Sequence, residues 1–176
     1  MTRLAFAALI PVLLASTAAL AQDKTDMQDA KSVELKGADG ASMGTASFVP
    51  TPHGVLIEAE LQNLPGGTHG FHIHETGVCE GDFSSAGGHY NPADIDHGYM
   101  SETGPHAGDM PNVVATEGAV KVSVFNPNIA MTGGDAPLDD QDGSALMIHS
   151  GADDYASQPA GDAGSRIACG VIYPPK

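Results

Sequence analysis

The sequence has little positive charge. Only 7 of its 176 residues are lysine or arginine, 22 are aspartate or glutamate, and the formal net charge is −15 at pH 7. No lysine or arginine occurs in residues 37–120 or 122–165. Nucleic acid and anionic membranes are therefore excluded as partners, because both carry the same sign of charge. Most of the acidity is explained by solubility alone.

Long apolar runs are also missing beyond the first 21 residues. Residues 1–21 contain Arg3, an apolar stretch from position 4 to 14, and the tripeptide Ala19-Leu20-Ala21. This order is typical of a secretory signal peptide, which we expect to be cleaved after Ala21. The apolar stretch is short for a transmembrane helix, although an uncleaved membrane anchor is the alternative. We expect an exported protein that has no membrane partner after cleavage.

The remaining chain has the length of one domain. We expect a flexible N-terminal segment at 22–30 and a single folded domain at 31–176. Cysteine is scarce, since Cys79 and Cys169 are the only two. An even count in an exported chain predicts a disulfide between them, although two buried free thiols are the alternative.

The hydrophobic pattern is that of strands, with little helix. In residues 54–61, Val55, Ile57, Ala59 and Leu61 alternate with residues that include two glutamates. The same alternation predicts strands at 120–124 and 167–171, and further strand candidates are 33–36, 44–49 and 144–149, with glycine and proline in the gaps. Several short strands with turn signals between them predict an antiparallel sandwich or barrel. Two segments do not fit strands, 75–112 and 150–165, and loops of this length in a small domain are usually functional.

The most informative motif is Gly70-Phe71-His72-Ile73-His74-Glu75. Because side chains alternate along a strand, His72 and His74 are expected to share one face, with Phe71 and Ile73 in the core on the other. Two imidazoles on a rigid strand make half of a transition-metal site. The long loop adds His89, His97, His106 and Asp109, and His149 ends an apolar strand. These seven side chains suggest two adjacent ions. Two four-ligand sites need eight ligands, so one is missing unless one side chain bridges both ions.

Four ordered motifs in this chain closely resemble the copper/zinc superoxide dismutases, in their bacterial exported branch. They are residues 70–75, Ala86-Gly87-Gly88-His89-Tyr90-Asn91-Pro92, Pro105-His106-Ala107-Gly108-Asp109, and Gly164-Ser165-Arg166-Ile167-Ala168-Cys169-Gly170-Val171. The resemblance implies an all-β, antiparallel Greek-key sandwich or barrel with one copper and one zinc per subunit. It also implies a periplasmic enzyme that dismutes superoxide to oxygen and hydrogen peroxide. It does not decide between a monomer and a homodimer.

The resemblance also assigns roles to single residues. It implies copper ligands His72, His74, His89 and His149, and zinc ligands His89, His97, His106 and Asp109. His89 then bridges the two metals and supplies the missing eighth ligand. Arg166 is implied to attract superoxide, Cys79 and Cys169 to form the family disulfide, and Asp153 to link a copper histidine to a zinc histidine. The alternative for Asp153 is a solvated acidic pair with Asp154. His69 is implied to be structural, and His53 has no counterpart.

Two other functions remain open at this point. A periplasmic copper or zinc carrier without redox catalysis also needs clustered histidines, but it does not need a bridging ligand or Arg166. A hydrolytic zinc enzyme is disfavoured, because the implied zinc shell has no open position.

One departure from the family pattern leads to a prediction. Lysines near the channel help to steer superoxide in many family members, and neither long loop here contains one. Attraction of superoxide then depends on the metals and Arg166, because guanidinium is always charged. We expect added salt to depress the dismutation rate less than in lysine-lined members, and Arg166→Ala to remove most of the salt dependence that exists. A salt dependence as steep as in those members would mean that a steering residue has been missed.

Overall fold

The computed structural model describes residues 30–176 of the chain. The predicted signal peptide at 1–21 and nearly all of the flexible segment at 22–30 lie outside these residues. Within the described part, the chain forms nine strands and one 3-10 turn, Ser84–Ala86. The strands are β1 (Lys31–Lys36), β2 (Ser42–Thr51), β3 (Gly54–Leu61), β4 (Gly67–His69), β5 (Phe71–His74), β6 (Val113–Ala115), β7 (Val120–Asn126), β8 (Ser144–His149) and β9 (Arg166–Tyr173). No helix in residues 30–176 is long and apolar enough to cross a membrane.

Seven of the strands form one antiparallel sheet in the order β5-β8-β9-β1-β2-β3-β7, and β4 pairs with β6 in a separate two-stranded sheet. The larger sheet curls around a core that includes Leu35, Phe48, Ile57 and Leu146, all of which are fully buried. The all-β antiparallel architecture predicted from the sequence is confirmed. The strands predicted at 54–61 and 144–149 have the bounds that the structure shows.

β5 is buried on both faces. Phe71 and Ile73 belong to the main core, as predicted, and His72 and His74 point away from it. β8 pairs with β5 so that His72 lies opposite Met147 and His74 opposite Ala145. A second apolar cluster covers this outer face: Phe83, Ala86, Ala145, Met147 and Cys169. The loop at 75–112 therefore packs on the outside of the sheet, where the two histidines emerge.

The predicted disulfide between Cys79 and Cys169 is present. The two residues are 90 positions apart, and the bond joins the 75–112 loop to β9. Both cysteines contact the apolar cluster under the loop. The cross-link therefore holds this loop against the strand that begins with Arg166.

We expect the Cys79→Ser/Cys169→Ser double variant to be less stable by about 4–5 kcal/mol, because the unfolded chain regains the entropy of a loop of this length. Denaturant unfolding monitored by circular dichroism measures the difference. Reduced wild-type protein is the matched control and should unfold at the same midpoint as the double variant. If wild type and double variant unfold at the same denaturant concentration, the cross-link contributes nothing to stability.

Candidate metal centre

The structure brings all seven candidate ligands into two buried groups that share one residue. The first consists of His72, His74, His89 and His149, and the second of His89, His97, His106 and Asp109. Within each group, one ligand atom per residue lies within 4.8 Å of all the others. β5 supplies two members and the end of β8 supplies one, while the 75–112 loop supplies the rest.

Three buried histidine nitrogens are available to bind cations. Nδ1 of His72, Nε2 of His89 and Nδ1 of His106 are buried, and none has a hydrogen-bond partner. A buried polar atom without a partner is costly unless something else satisfies it. Each of these atoms is the one that its residue offers to a group of converging ligands. A metal ion in each group satisfies all three.

Asp109 is the centre of the second group. Its carboxylate lies 2.8 Å from Nδ1 of His89, 3.0 Å from Nδ1 of His97 and 3.5 Å from Nδ1 of His106. Ligands about 2.0–2.1 Å from a tetrahedral zinc ion are about 3.3 Å apart, so these separations suit zinc. Burial alone would raise the pKa of Asp109, yet the three histidines around it and the N–H of Gly98 hold it well below its usual range. The carboxylate is therefore ionised at every physiological pH.

Asp153 connects the two groups from behind. Its Oδ2 accepts a hydrogen bond from Nε2 of His72 at 2.7 Å, and its Oδ1 accepts one from Nε2 of His97 at 3.0 Å. A carboxylate can only accept here, so both rings carry their proton on Nε2 and present Nδ1 to a metal. The side chain is buried whereas Asp154 is exposed, so the alternative of a solvated acidic pair is wrong.

Three imidazoles of the first group are uncharged at neutral pH. Burial is the main cause that lowers the pKa of His89 to about 4 and that of His149 to about 3, and it also holds the pKa of His74 well below the usual value. Neighbouring histidines and Arg166 lower the pKa of His74 and His149 further. All three rings therefore offer lone pairs at neutral pH, and Nε2 of His74 lies only 3.3 Å from Nε2 of His149.

Arg166 lies beside the first group and is half-buried. Its guanidinium donates to the backbone carbonyls of Phe83 and Gly87. No carboxylate in residues 30–176 forms a salt bridge with it. Burial lowers its pKa below the usual value, but an arginine remains charged under all ordinary conditions. The site therefore has a full positive charge that no ion pair neutralises.

The other two histidines lie outside both groups. His69 is buried, and its ring nitrogens lie 2.8 Å from the carbonyl oxygens of His149 and Pro65, so neither nitrogen is free. His53 is exposed in the turn between β2 and β3.

Sequence reasoning missed three supporting side chains. The amide of Asn112 bonds to both the carbonyl and the N–H of Asp153. The amide of Gln158 does the same for His97. The carboxylate of Glu75 accepts from the N–H of Gly88, next to His89. All three act on the backbone, and no spacing or residue pattern could have indicated these contacts.

The chain was compared with known proteins. The family model for copper/zinc superoxide dismutase (SODC) matches residues 42–172. This chain belongs to the copper/zinc superoxide dismutase family. Superoxide dismutase [Cu-Zn] 1 of Aquifex aeolicus is 49% identical over 137 residues, which cover 76% of this chain and 81% of the relative. The corresponding enzyme of Caulobacter vibrioides is 40% identical over 143 residues, covering 78% and 82%.

Solved structures agree with this assignment to the copper/zinc superoxide dismutase family. A SOD-like protein from Bacillus subtilis superposes with a TM-score of 0.77 at 38% identity, covering 81% of this chain and 97% of that one. Cu/Zn superoxide dismutase from Brucella abortus superposes with a TM-score of 0.67 at 31% identity, covering 82% and 99%. The copper/zinc superoxide dismutase fold therefore extends over nearly all of the described residues.

We expect Asp153→Asn to weaken metal affinity by about 10- to 100-fold, because the amide can turn its NH₂ group toward His72 or His97 and disturb their tautomers. Competition with a chromogenic chelator measures the copper and zinc affinities separately. Asp154→Asn is the matched control, since it removes the same charge from an exposed neighbour. Equal affinities in the two variants would show that Asp153 acts only through its charge.

Proposed function

We propose that this protein is a superoxide dismutase, which converts superoxide to oxygen and hydrogen peroxide with copper and zinc as cofactors. The observation that carries the proposal is the pair of buried ligand groups that share His89, with an unpaired Arg166 cation beside the first group. Membership of the family supports the same activity. A metal carrier needs neither the shared imidazole nor the arginine.

The donor chemistry assigns one metal to each group. Four imidazoles, from His72, His74, His89 and His149, suit the tetragonal geometry of Cu(II). Three imidazoles and the carboxylate of Asp109 suit a closed tetrahedral zinc site, which has no position for a reactive water. A zinc ion would therefore have a structural role, held by His89, His97, His106 and Asp109, and a copper ion in the first group would supply the redox chemistry.

A bound copper ion supplies the one-electron chemistry: one superoxide is oxidised to oxygen and a second is reduced to hydrogen peroxide. The residues of the chain bring the anion in and manage its protons. Arg166 attracts superoxide by charge and orients it through its remaining N–H donors, because the carbonyls of Phe83 and Gly87 use only part of the guanidinium.

Reduction of superoxide to hydrogen peroxide consumes two protons, and His89 is the residue placed to deliver one of them. Its Nε2 has no hydrogen-bond partner and faces the copper group, whereas its Nδ1 lies against Asp109. When Nε2 is not bound to a metal ion it can carry a proton, and that proton would lie inside the first group, where the anion would be reduced. The second proton comes from solvent.

Export and a periplasmic location are part of this proposal. The signal-peptide pattern of residues 1–21 and the disulfide between Cys79 and Cys169 support them, since disulfides persist in oxidising compartments. Superoxide is an anion and crosses membranes poorly. A dismutase in the envelope would therefore act on superoxide formed there.

We expect His149→Ala to reduce dismutation to the rate of copper-free protein, because the first group loses a ligand, while zinc stays bound in the second group. Superoxide consumption by the metal-loaded protein and metal analysis by mass spectrometry measure the two effects. His53→Ala is the control, since this histidine is exposed and distant from both groups, and it should have wild-type activity. Metal-loaded wild-type protein that is inert toward superoxide would contradict the proposal and favour a metal carrier.

A further inference from the structure

One peptide unit in the 75–112 loop makes three hydrogen bonds to residues of the site. The carbonyl of Gly87 accepts from Nδ1 of His74 at 3.1 Å and from a guanidinium nitrogen of Arg166 at 2.5 Å. The N–H of the same peptide belongs to Gly88, and it donates to Oε1 of Glu75 at 2.8 Å. The orientation of this single peptide therefore affects a candidate copper ligand and the anion-attracting arginine together.

The peptide lies between two glycines, so its orientation is not fixed by side chains of its own. Gly87 has a φ of 71°, in the region that favours glycine, and a Cβ there would meet Oε1 of Glu75 at 2.6 Å. Rotation of a peptide between glycines meets little steric resistance. If the peptide turned over, its Gly88 N–H would face the N–H donors of His74 and Arg166. Its Gly87 carbonyl would then face the carboxylate of Glu75. Both contacts are repulsive.

We propose that Glu75 is a positioning residue for Arg166 and His74, because its carboxylate holds the Gly87–Gly88 peptide with the carbonyl directed at both. The proposal rests on the proposed dismutase function. Glu75 contacts Gly88 on two sides, since its own N–H also donates to the Gly88 carbonyl at 3.0 Å. Because Glu75 directly follows His74, β5 places both residues, and a shift of one moves the other.

The charge of Glu75 and its hydrogen bond to Gly88 have opposite effects on the binding of an anion at Arg166. A carboxylate near Arg166 weakens the attraction of that arginine for an anion, whereas the hydrogen bond keeps the arginine in place. Glutamine at position 75 keeps an oxygen that accepts from the Gly88 N–H and removes the charge. Alanine removes both. The two variants therefore separate positioning from electrostatics.

The first experiment is an azide titration of the copper- and zinc-loaded protein, followed by optical absorption of the copper. Azide is an anion of superoxide's charge that binds without turnover. We expect Glu75→Ala to bind azide about three- to tenfold more weakly, a loss about the size of one ordinary net hydrogen bond, because the carboxylate acts on the anion only through the peptide. Glu75→Gln should bind it as tightly as wild type or more tightly. Glu80→Ala removes a charge from the same loop and should not weaken binding. Equal azide affinities for the alanine and glutamine variants at position 75 would overturn the proposal.

The second experiment needs neither copper nor superoxide. Hydrogen exchange of the Gly88 amide, measured by NMR in zinc-loaded protein, should become about tenfold faster or more in Glu75→Ala and stay near the wild-type rate in Glu75→Gln. An unchanged Gly88 rate in Glu75→Ala would also overturn the proposal. If the wild-type protein bound copper but did not consume superoxide, the dismutase function would fail while this measurement still decided the role of Glu75.

Discussion

The carboxylate of Asp153, buried between two imidazoles, is the contact on which the geometry of the metal centre depends. It accepts from His72 in the first group and from His97 in the second, so one side chain fixes a ring in each. With both rings protonated on Nε2, their Nδ1 atoms are left with lone pairs that face the two metal positions. His89 belongs to both groups, and Asp153 accepts a hydrogen bond from one histidine of each group. The spacing of the two ligand groups is therefore fixed by two buried side chains, each of which contacts both groups.

The second constraint is the burial of β5 on both faces. Phe71 and Ile73 are fixed in the core, and this immobilises His72 and His74 on the opposite face. The outer face would be open to solvent without the loop at 75–112, which the disulfide and a small apolar cluster hold in place. Burial is also the main reason that His74, His89 and His149 stay uncharged near neutral pH. The same packing thus sets both the position and the protonation of the ligands.

Much of this could be predicted from the sequence, because strands and metal ligands leave residue-type signals. The alternation in β3 and the apolar run in β8 predicted their bounds, and the histidine spacing in β5 predicted its two faces. β4 and β6 were missed, since each has three residues and no alternation can be recognised in so short a segment. Asn112, Gln158 and Glu75 were missed for a different reason. Their partners are backbone groups, which every residue possesses, so only the folded chain shows which of them meet.

The contacts of Arg166 have a consequence for how this site tolerates change. Its partners are main-chain carbonyls, which persist whatever side chains the loop carries. Most side chains of the loop therefore have no direct contact with the guanidinium, and the path of the backbone places its two partners. Cys79 holds that path through the disulfide, and Glu75 holds it through the N–H of Gly88. Under the role proposed for Arg166, recognition of superoxide depends on the backbone path of this loop.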